Sequence, residues 1–174
     1  MEDGVLEVVE EGKGRDEEIA PPAFPRAMAK MVDIGAKPDV RRRAVAEGSI
    51  RLKASTIQAI RRGRLEKGDA LATAEVAALH AMKTVWQVLP HCHPIPITAS
   101  SVIFDVHEDR IGVRTTVEAT YKTGVEMEAL YGVTVALLTV WDMVKSIEKD
   151  PKGGYPSARI EDVRVVEKTK SPPR

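Results

Sequence analysis

Residues 129–140, Ala-Leu-Tyr-Gly-Val-Thr-Val-Ala-Leu-Leu-Thr-Val, carry no charge at all. Their flanks do: Lys122, Glu126 and Glu128 stand before the run, Asp142 and Lys145 after it. A helix apolar nearly all round is a buried helix, so the rest of the chain has to be built around this one. Thr123 with Glu126 three residues on reads as a capping box. Gly124 beside it, a poor helix former, points to a close backbone approach. Ionisable groups at both ends of a buried helix either pair or belong to sites.

The segments that can cover such a helix follow from periodicity. Ser55 reads as the N-cap of a short helix stopped by Gly63. Asp69 caps a second, running to about Val88 and ended by Pro90. Its expected apolar face is Leu71, Val76, Leu79, Met82, Val85, Trp86 and Leu89. Met31 to Gly35 reads as a short extended segment, and residues 41–52 as a strand broken at Gly48. Val102, Phe104 and Val106, then Ile111, Val113 and Val117, alternate on either side of His107–Arg110, which predicts a β-hairpin. Ile160 to Val166 is the final strand. The order strand, helix, strand, strand, helix, strand predicts an α+β, ferredoxin-like (βαββαβ) antiparallel sheet with its helices on one face. That fold hosts many functions, so it decides none.

Charge narrows the classes. Lysine plus arginine equals aspartate plus glutamate at 26 each, so no global field favours nucleic acid or a membrane surface. The lone Cys92 excludes an internal disulfide and fits a reducing compartment. No signal-peptide pattern or bilayer-length apolar run is visible, and a cytoplasmic protein is expected. Residues 1–28, acidic and punctuated by proline, predict a disordered tail. A single domain is expected over 29–168, with a flexible tail over 169–174.

Four stretches can carry chemistry. Pro90-His91-Cys92-His93-Pro94 is a loop stiffened by proline, and in an extended loop His91 and His93 share a side. A zinc site needs three or four ligands, and no further Cys or HxxxH supplies them, so no metal is expected. Cys92 reads as a buried structural thiol rather than a nucleophile, and His93 as a residue presented to a ligand. Lys67-Gly68-Asp69 places a lysine before a helix N-terminus, where anions bind, though an ordinary capped turn looks the same. Asp142 and Lys145, three apart, share a helix face and can do acid–base chemistry or simply pair. Arg41-Arg42-Arg43 reads either as a solvated strand edge or as a phosphate site.

Together these stretches resemble the cyclic pyranopterin monophosphate synthase family of molybdenum-cofactor biosynthesis. The matching pieces are Met31-Val32-Asp33-Ile34, Lys67-Gly68-Asp69, Cys92-His93-Pro94, Lys122 to Leu130, and Asp142-Met143 with Lys145. They come in the family's order and cover about residues 31–168. The resemblance implies a lyase that converts 3′,8-cyclo-7,8-dihydro-GTP to cyclic pyranopterin monophosphate and pyrophosphate. It also implies a ferredoxin-like subunit in a hexamer, a trimer of dimers. By motif position Asp142, Lys67 and Lys145 match catalytic residues. The Cys92-His93 loop, Met127 and Glu128 match substrate-contacting segments, Glu126 a further pocket acid, and Arg42 a phosphate-binding arginine. His91 stands where the family commonly has an aliphatic residue, which restricts its expected contact to the backbone. Trp141 replaces a common tyrosine and Val144 a common cysteine. No cofactor is implied beyond magnesium accompanying the triphosphate. The rival from another class is a catalytically silent, ferredoxin-like nucleotide-binding regulatory module; it needs phosphate-binding cations but not Asp142 with both lysines. An assembly scaffold is a further rival.

Helix geometry adds one expectation. Glu128 and Asp142 are about 21 Å apart along a continuous helix, too far for one compact centre. Either the ligand is long, with its base near one end and its phosphates near the other, or the pocket lies between subunits; an obligate homo-oligomer with active sites at a dimer interface is expected.

Overall fold

The computed structural model describes residues 29–172. The acidic segment 1–28 lies outside the described residues. The elements run β1 (Val40–Arg51), α1 (Ala54–Arg61), α2 (Ala70–Val88), β2 (Ile97–Val106), β3 (Arg110–Tyr121), α3 (Glu126–Glu148) and β4 (Arg159–Ser171). The four strands form one sheet in the order β2-β3-β1-β4 with every neighbouring pair antiparallel. This is the α+β, ferredoxin-like arrangement, with β1 and β3 central. β4 extends to Ser171, which pairs with Arg41, so residues 169–171, expected in a flexible tail, belong to the sheet.

α3 lies across β1 and β3 as the charge-free run requires. Ala129, Val133, Ala136, Leu137, Val140 and Val144 are fully buried against Ala44, Ala46, Ile50, Val113 and Val117 of the sheet. α3 has the length and hydropathy of a membrane span, but half of its most apolar window is buried inside this fold. Unlike the helix apolar all round, it keeps one face toward solvent, with Leu138 54% and Met127 40% exposed.

β1 is continuous through Gly48, where a break was expected. A Cβ at Gly48 would sit 2.9 Å from both Val133 Cγ1 and Val163 Cγ2. The glycine is therefore where α3 comes down onto the sheet, and β4 absorbs the irregularity in register opposite it.

Three local expectations are corrected. α3 begins at Glu126 with Val125 as N-cap and no side-chain cap bond, so Thr123 and Glu126 do not form a capping box. Val125 is 1% exposed, and its burial sets the helix start two residues later. α1 starts at Ala54 after Lys53, not at Ser55, because its N-terminal acceptor comes from elsewhere: Glu148 Oε1 accepts the Lys53 N–H at 2.9 Å. α2 is capped by Asp69, which accepts from Leu71 N and Ala72 N, but its buried face is Ala70, Ala74, Ala78, Ala81, Met82 and Val85. Val76 is 69% exposed, and Trp86, Val88 and Leu89 are exposed too. Small side chains let α2 lie close against α3, where Met82 Cε comes within 2.6 Å of the position a Gly132 Cβ would take.

Met31 to Ile34 is not a strand. Ile34 is buried, Asp33 Oδ1 accepts from Gly35 N at 2.8 Å, and Lys122 Nζ donates to Gly35 O at 2.6 Å.

Candidate active site

Asp142 sits near the end of α3 between two lysines. Lys67 Nζ donates to Asp142 Oδ2 at 2.6 Å and to its backbone carbonyl at 2.9 Å; Lys145 Nζ donates to Oδ1 at 2.7 Å. Lys145 arrives from one helical turn on. Lys67 arrives from the loop before α2, where Gly68 at φ +95° takes a turn that L side chains rarely adopt. Both carboxylate oxygens are thus engaged by cations. Hydrogen bonds from Lys145 and then Lys67 hold the Asp142 carboxyl at about 2, and Asp142 in turn raises Lys145 above its ordinary value. The cluster carries a net positive charge and is open to solvent, so an anionic ligand can reach both ammonium groups. Trp141 packs edge-on against Tyr155 at 5.6 Å beside it.

The other sequence-marked residues gather at the opposite end of α3. α2 runs antiparallel to α3, with Lys67 at the Asp142 end and Met82 beside Gly132. Its C-terminus therefore delivers the Cys92 loop to the start of α3. Cys92 N donates to Leu89 O at 2.9 Å, closing a turn, so His91 and His93 do not project from one extended strand. His91 is exposed; Cys92 and His93 are half-buried. Burial, with the nearby Glu128 charge, pushes the Cys92 thiol up, which leaves it protonated at neutral pH and a poor nucleophile.

Glu128 is 2% exposed and its Oε2 has no hydrogen-bond partner. Burial pushes its carboxyl up to about 7, with Glu126 adding repulsion. A carboxyl so placed is poised to exchange a proton near neutrality.

Arg42, Glu126 and Met127 line a cavity of about 460 Å³ together with Lys37, Lys122, Lys168 and Lys170. Arg42 holds the cavity wall: Nε donates to Tyr121 O at 2.9 Å and NH2 to Lys122 O at 3.0 Å. Arg41 pairs instead with Glu118, and Arg43 with Glu118 and Glu167, on the other face of the sheet. Glu126 curls back over Gly124 and pairs with Lys168. The close approach that Gly124 permits is thus by a carboxylate, not by backbone. Sequence reasoning missed Lys37, Lys168 and Lys170; the i, i+2 spacing of Lys168 and Lys170 on a strand was the available signal.

The structure therefore brings Asp142, Lys67 and Lys145 together, and separately Arg42, Glu126 and Met127, with Glu128 and Cys92 nearby. Glu126 and Asp142 are sixteen residues apart on one helix, or about 24 Å. Among the described residues no group of three or more His, Cys, Asp or Glu is arranged to hold a metal ion.

A family model described as the MoaC family matches residues 31–171, spanning both clusters. The chain belongs to the MoaC family. It is 57% identical over 141 residues to a probable cyclic pyranopterin monophosphate synthase of Pyrococcus furiosus, covering 81% of this chain and 90% of that one. Against a probable synthase of Pyrococcus abyssi the identity is 58% over 142 residues, covering 82% and 89%. A relative in Methanothermobacter thermautotrophicus, 55% identical over 141 residues and covering 81% and 89%, is named as a probable cyclic pyranopterin monophosphate synthase accessory protein. The run from Lys122 to Leu130 lies within the matched span, and the two clusters lie at the two ends of the helix that this run begins.

Proposed function

We propose that this chain is a cyclic pyranopterin monophosphate synthase, a lyase that turns 3′,8-cyclo-7,8-dihydro-GTP into cyclic pyranopterin monophosphate and releases pyrophosphate. The observation that carries the reading is the Lys67–Asp142–Lys145 cluster, preformed in a chain more than half identical to relatives named as that synthase. A silent nucleotide-binding module has no use for a carboxylate held between two lysines. In this reading Lys67, Asp142 and Lys145 act on the substrate. Arg42, Glu126, Met127, Glu128, Cys92 and His93 bind it, and His91 contacts it through its backbone. Magnesium accompanies the phosphates, with no resident cofactor, and the protein works in the cytoplasm.

The reading requires the two clusters to meet, and a second copy lets them. Met127, Tyr131, Thr134, Leu138, Trp141 and Lys145 follow a 4,3,4,3,4 spacing and form one stripe on the outer face of α3. It carries exposed Met127 and Leu138 and ends beside each cluster. If two such helices pair antiparallel about a two-fold axis near Thr134 and Val135, the start of one α3 meets the end of the other. A dimer then holds two complete sites, and three such dimers make the hexamer.

Anaerobic incubation with the cyclic GTP intermediate, then oxidation and detection of fluorescent pterin, tests the activity. No pterin above a no-enzyme control defeats it. Mixing Lys67→Ala with Arg42→Ala subunits after exchange tests the sharing. Partial return of activity supports an interfacial site, whereas dead mixtures place both residues in one chain's site.

A further inference from the structure

The neutrality of the whole chain hides a division. Residues 1–28 carry eight acidic and three basic side chains, and the other 146 residues carry eighteen acidic and twenty-three basic. A segment of net charge −5 is thus joined to a body of net charge +5. Acidic blocks at a chain end are often interaction tails. The fold shows where the opposite charge is concentrated.

On the solvent face of the sheet, cations are neutralised locally: Arg41 and Arg43 meet Glu118, Arg51 meets Glu161, and Arg114 and Arg164 share Glu47. Around the 460 Å³ cavity they are not. Lys37, Arg42, Lys122, Lys168 and Lys170 line it, with Glu126 the single acid among the described lining residues. Arg42 and Lys170 stand directly opposite each other on β1 and β4, and like charges so placed repel.

The acidic segment enters the fold at this same cavity. Ile34 is buried, Lys37 N donates to Ile34 O at 3.1 Å, and Lys122 Nζ donates to Gly35 O at 2.6 Å. Lys37 and Lys122 are themselves lining residues, so the chain before them is tethered at the cavity's rim. Glu18 precedes Gly35 by seventeen residues, which can span up to about 55 Å. That exceeds the roughly 35 Å length of α3, so the acidic side chains reach the cavity of their own subunit. A short tether holds its ligand at an effective concentration on the order of millimolar.

We propose that segment 1–28 is a tethered competitor: its carboxylates, centred on Glu10, Glu11, Asp16, Glu17 and Glu18, occupy the cation-lined cavity until an anionic ligand displaces them. The docking rests on the charge and position of the cavity; that the displacing anion is the substrate, so that the segment gates its entry, rests on the synthase reading.

Carbodiimide cross-linking of the full chain, read by mass spectrometry, tests the docking, since it joins only carboxylates and amines already in contact. At about 0.05 M salt, peptides holding Glu10, Glu11 or Asp16 to Glu18 should be joined to Lys37, Lys168 or Lys170, and far less to Lys83 on the exposed side of α2. Raising the salt to about 0.5 M should remove these links, because it screens exposed charges. Inorganic pyrophosphate should remove them too. The Glu126–Lys168 pair is the internal check on the reaction. Links to Lys83 as frequent as those to the cavity lysines, or links that persist in pyrophosphate, overturn the proposal. Titration calorimetry with inorganic pyrophosphate gives a second reading. The full chain carrying Glu10→Gln, Glu11→Gln, Asp16→Asn, Glu17→Gln and Glu18→Gln should bind it about fivefold more tightly than wild type at low salt, since wild type binds only through the fraction whose cavity is clear. The difference should close at high salt. Equal affinity at low salt overturns the proposal. Pterin formation by wild type, measured in parallel, separates that outcome from failure of the synthase reading.

Discussion

Lys53 and Glu148 hold each other's helix ends: Glu148 Oε1 accepts from the Lys53 backbone N–H at 2.9 Å, and Lys53 Nζ donates to the Glu148 carbonyl at 2.8 Å. Lys53 Nζ also reaches Ile147 O and Lys149 O, both at 3.2 Å, so one ammonium caps α3 where its dipole is negative. Glu148 is fully buried, and its carboxylate faces the start of α1. This reciprocal clasp ties α3 to α1 one turn beyond Lys145, and α1 leads into the loop that carries Lys67.

Glu148→Ala should therefore lower stability by about 2–3 kcal/mol, the cost of an orphaned, partly buried N–H and a lost charge-assisted bond. Lys53→Met should cost less, about 1–2 kcal/mol, because the carbonyls it leaves can take up water. Urea midpoints at fixed protomer concentration measure both. A loss under 0.5 kcal/mol in Glu148→Ala would show that the clasp is not structural.

Glu128 gives the fold a pH dependence. Its carboxyl titrates near the ordinary 4.5 when unfolded and at about 7 when folded. The folded state holds the proton more tightly, so this contribution is most favourable below about pH 4.5. It declines as pH rises toward 7 and is flat above. Glu128→Gln should remove that decline, gaining on the order of 3 kcal/mol above pH 7 and nothing at pH 4. Parallel stability curves for the two proteins from pH 4 to 8 would contradict the burial argument.

Two glycines should separate folding from function. Gly48→Ala drives a methyl into Val133, which is fully buried, and into Val163, and should cost about 1–3 kcal/mol. Gly124→Ala meets only the end of the Glu126 side chain. It should leave the thermal midpoint within a few degrees of wild type while displacing Glu126 and impairing substrate binding, read as a raised KM. A large stability loss in Gly124→Ala would show that the Gly124 backbone, not the carboxylate above it, is what matters.

Asp142→Asn, Lys67→Ala and Lys145→Ala should each reduce turnover by roughly a hundredfold or more with the fold retained, the scale of a lost proton-transfer group. Asp142 titrates at about 2, so its ionisation should leave no inflection in the rate between pH 4 and 9. An acid limb near pH 4 that vanishes in Asp142→Asn would contradict the geometry of its two lysines.

The parts of this fold legible in sequence are those that local chemistry fixes. Asp69 caps its helix with its own side chain, and the 107–110 turn joins two alternating runs. Asp142 and Lys145 meet because three residues make nearly one turn. What failed to read depends on distant residues. Ser55 looks like a cap, but Glu148 from another helix takes that work two residues earlier. Val76 and Trp86 look like core because they are large, whereas contact with α3 selects Ala74, Ala78 and Ala81. The lysine-lined corner was invisible because its members come from four separate stretches and only the sheet register unites them.

The strand order has a consequence for biosynthesis. β1 is central, yet one of its edges stays open until residues 159–171 arrive to pair with it. While the ribosome is still short of that segment, the nascent chain exposes a long unpaired edge, the template on which aggregation starts. Messages truncated before β4 should therefore yield insoluble product. The lysine-lined cavity cannot exist on such a chain, since Lys168 and Lys170, two of its five cations among the described residues, belong to β4.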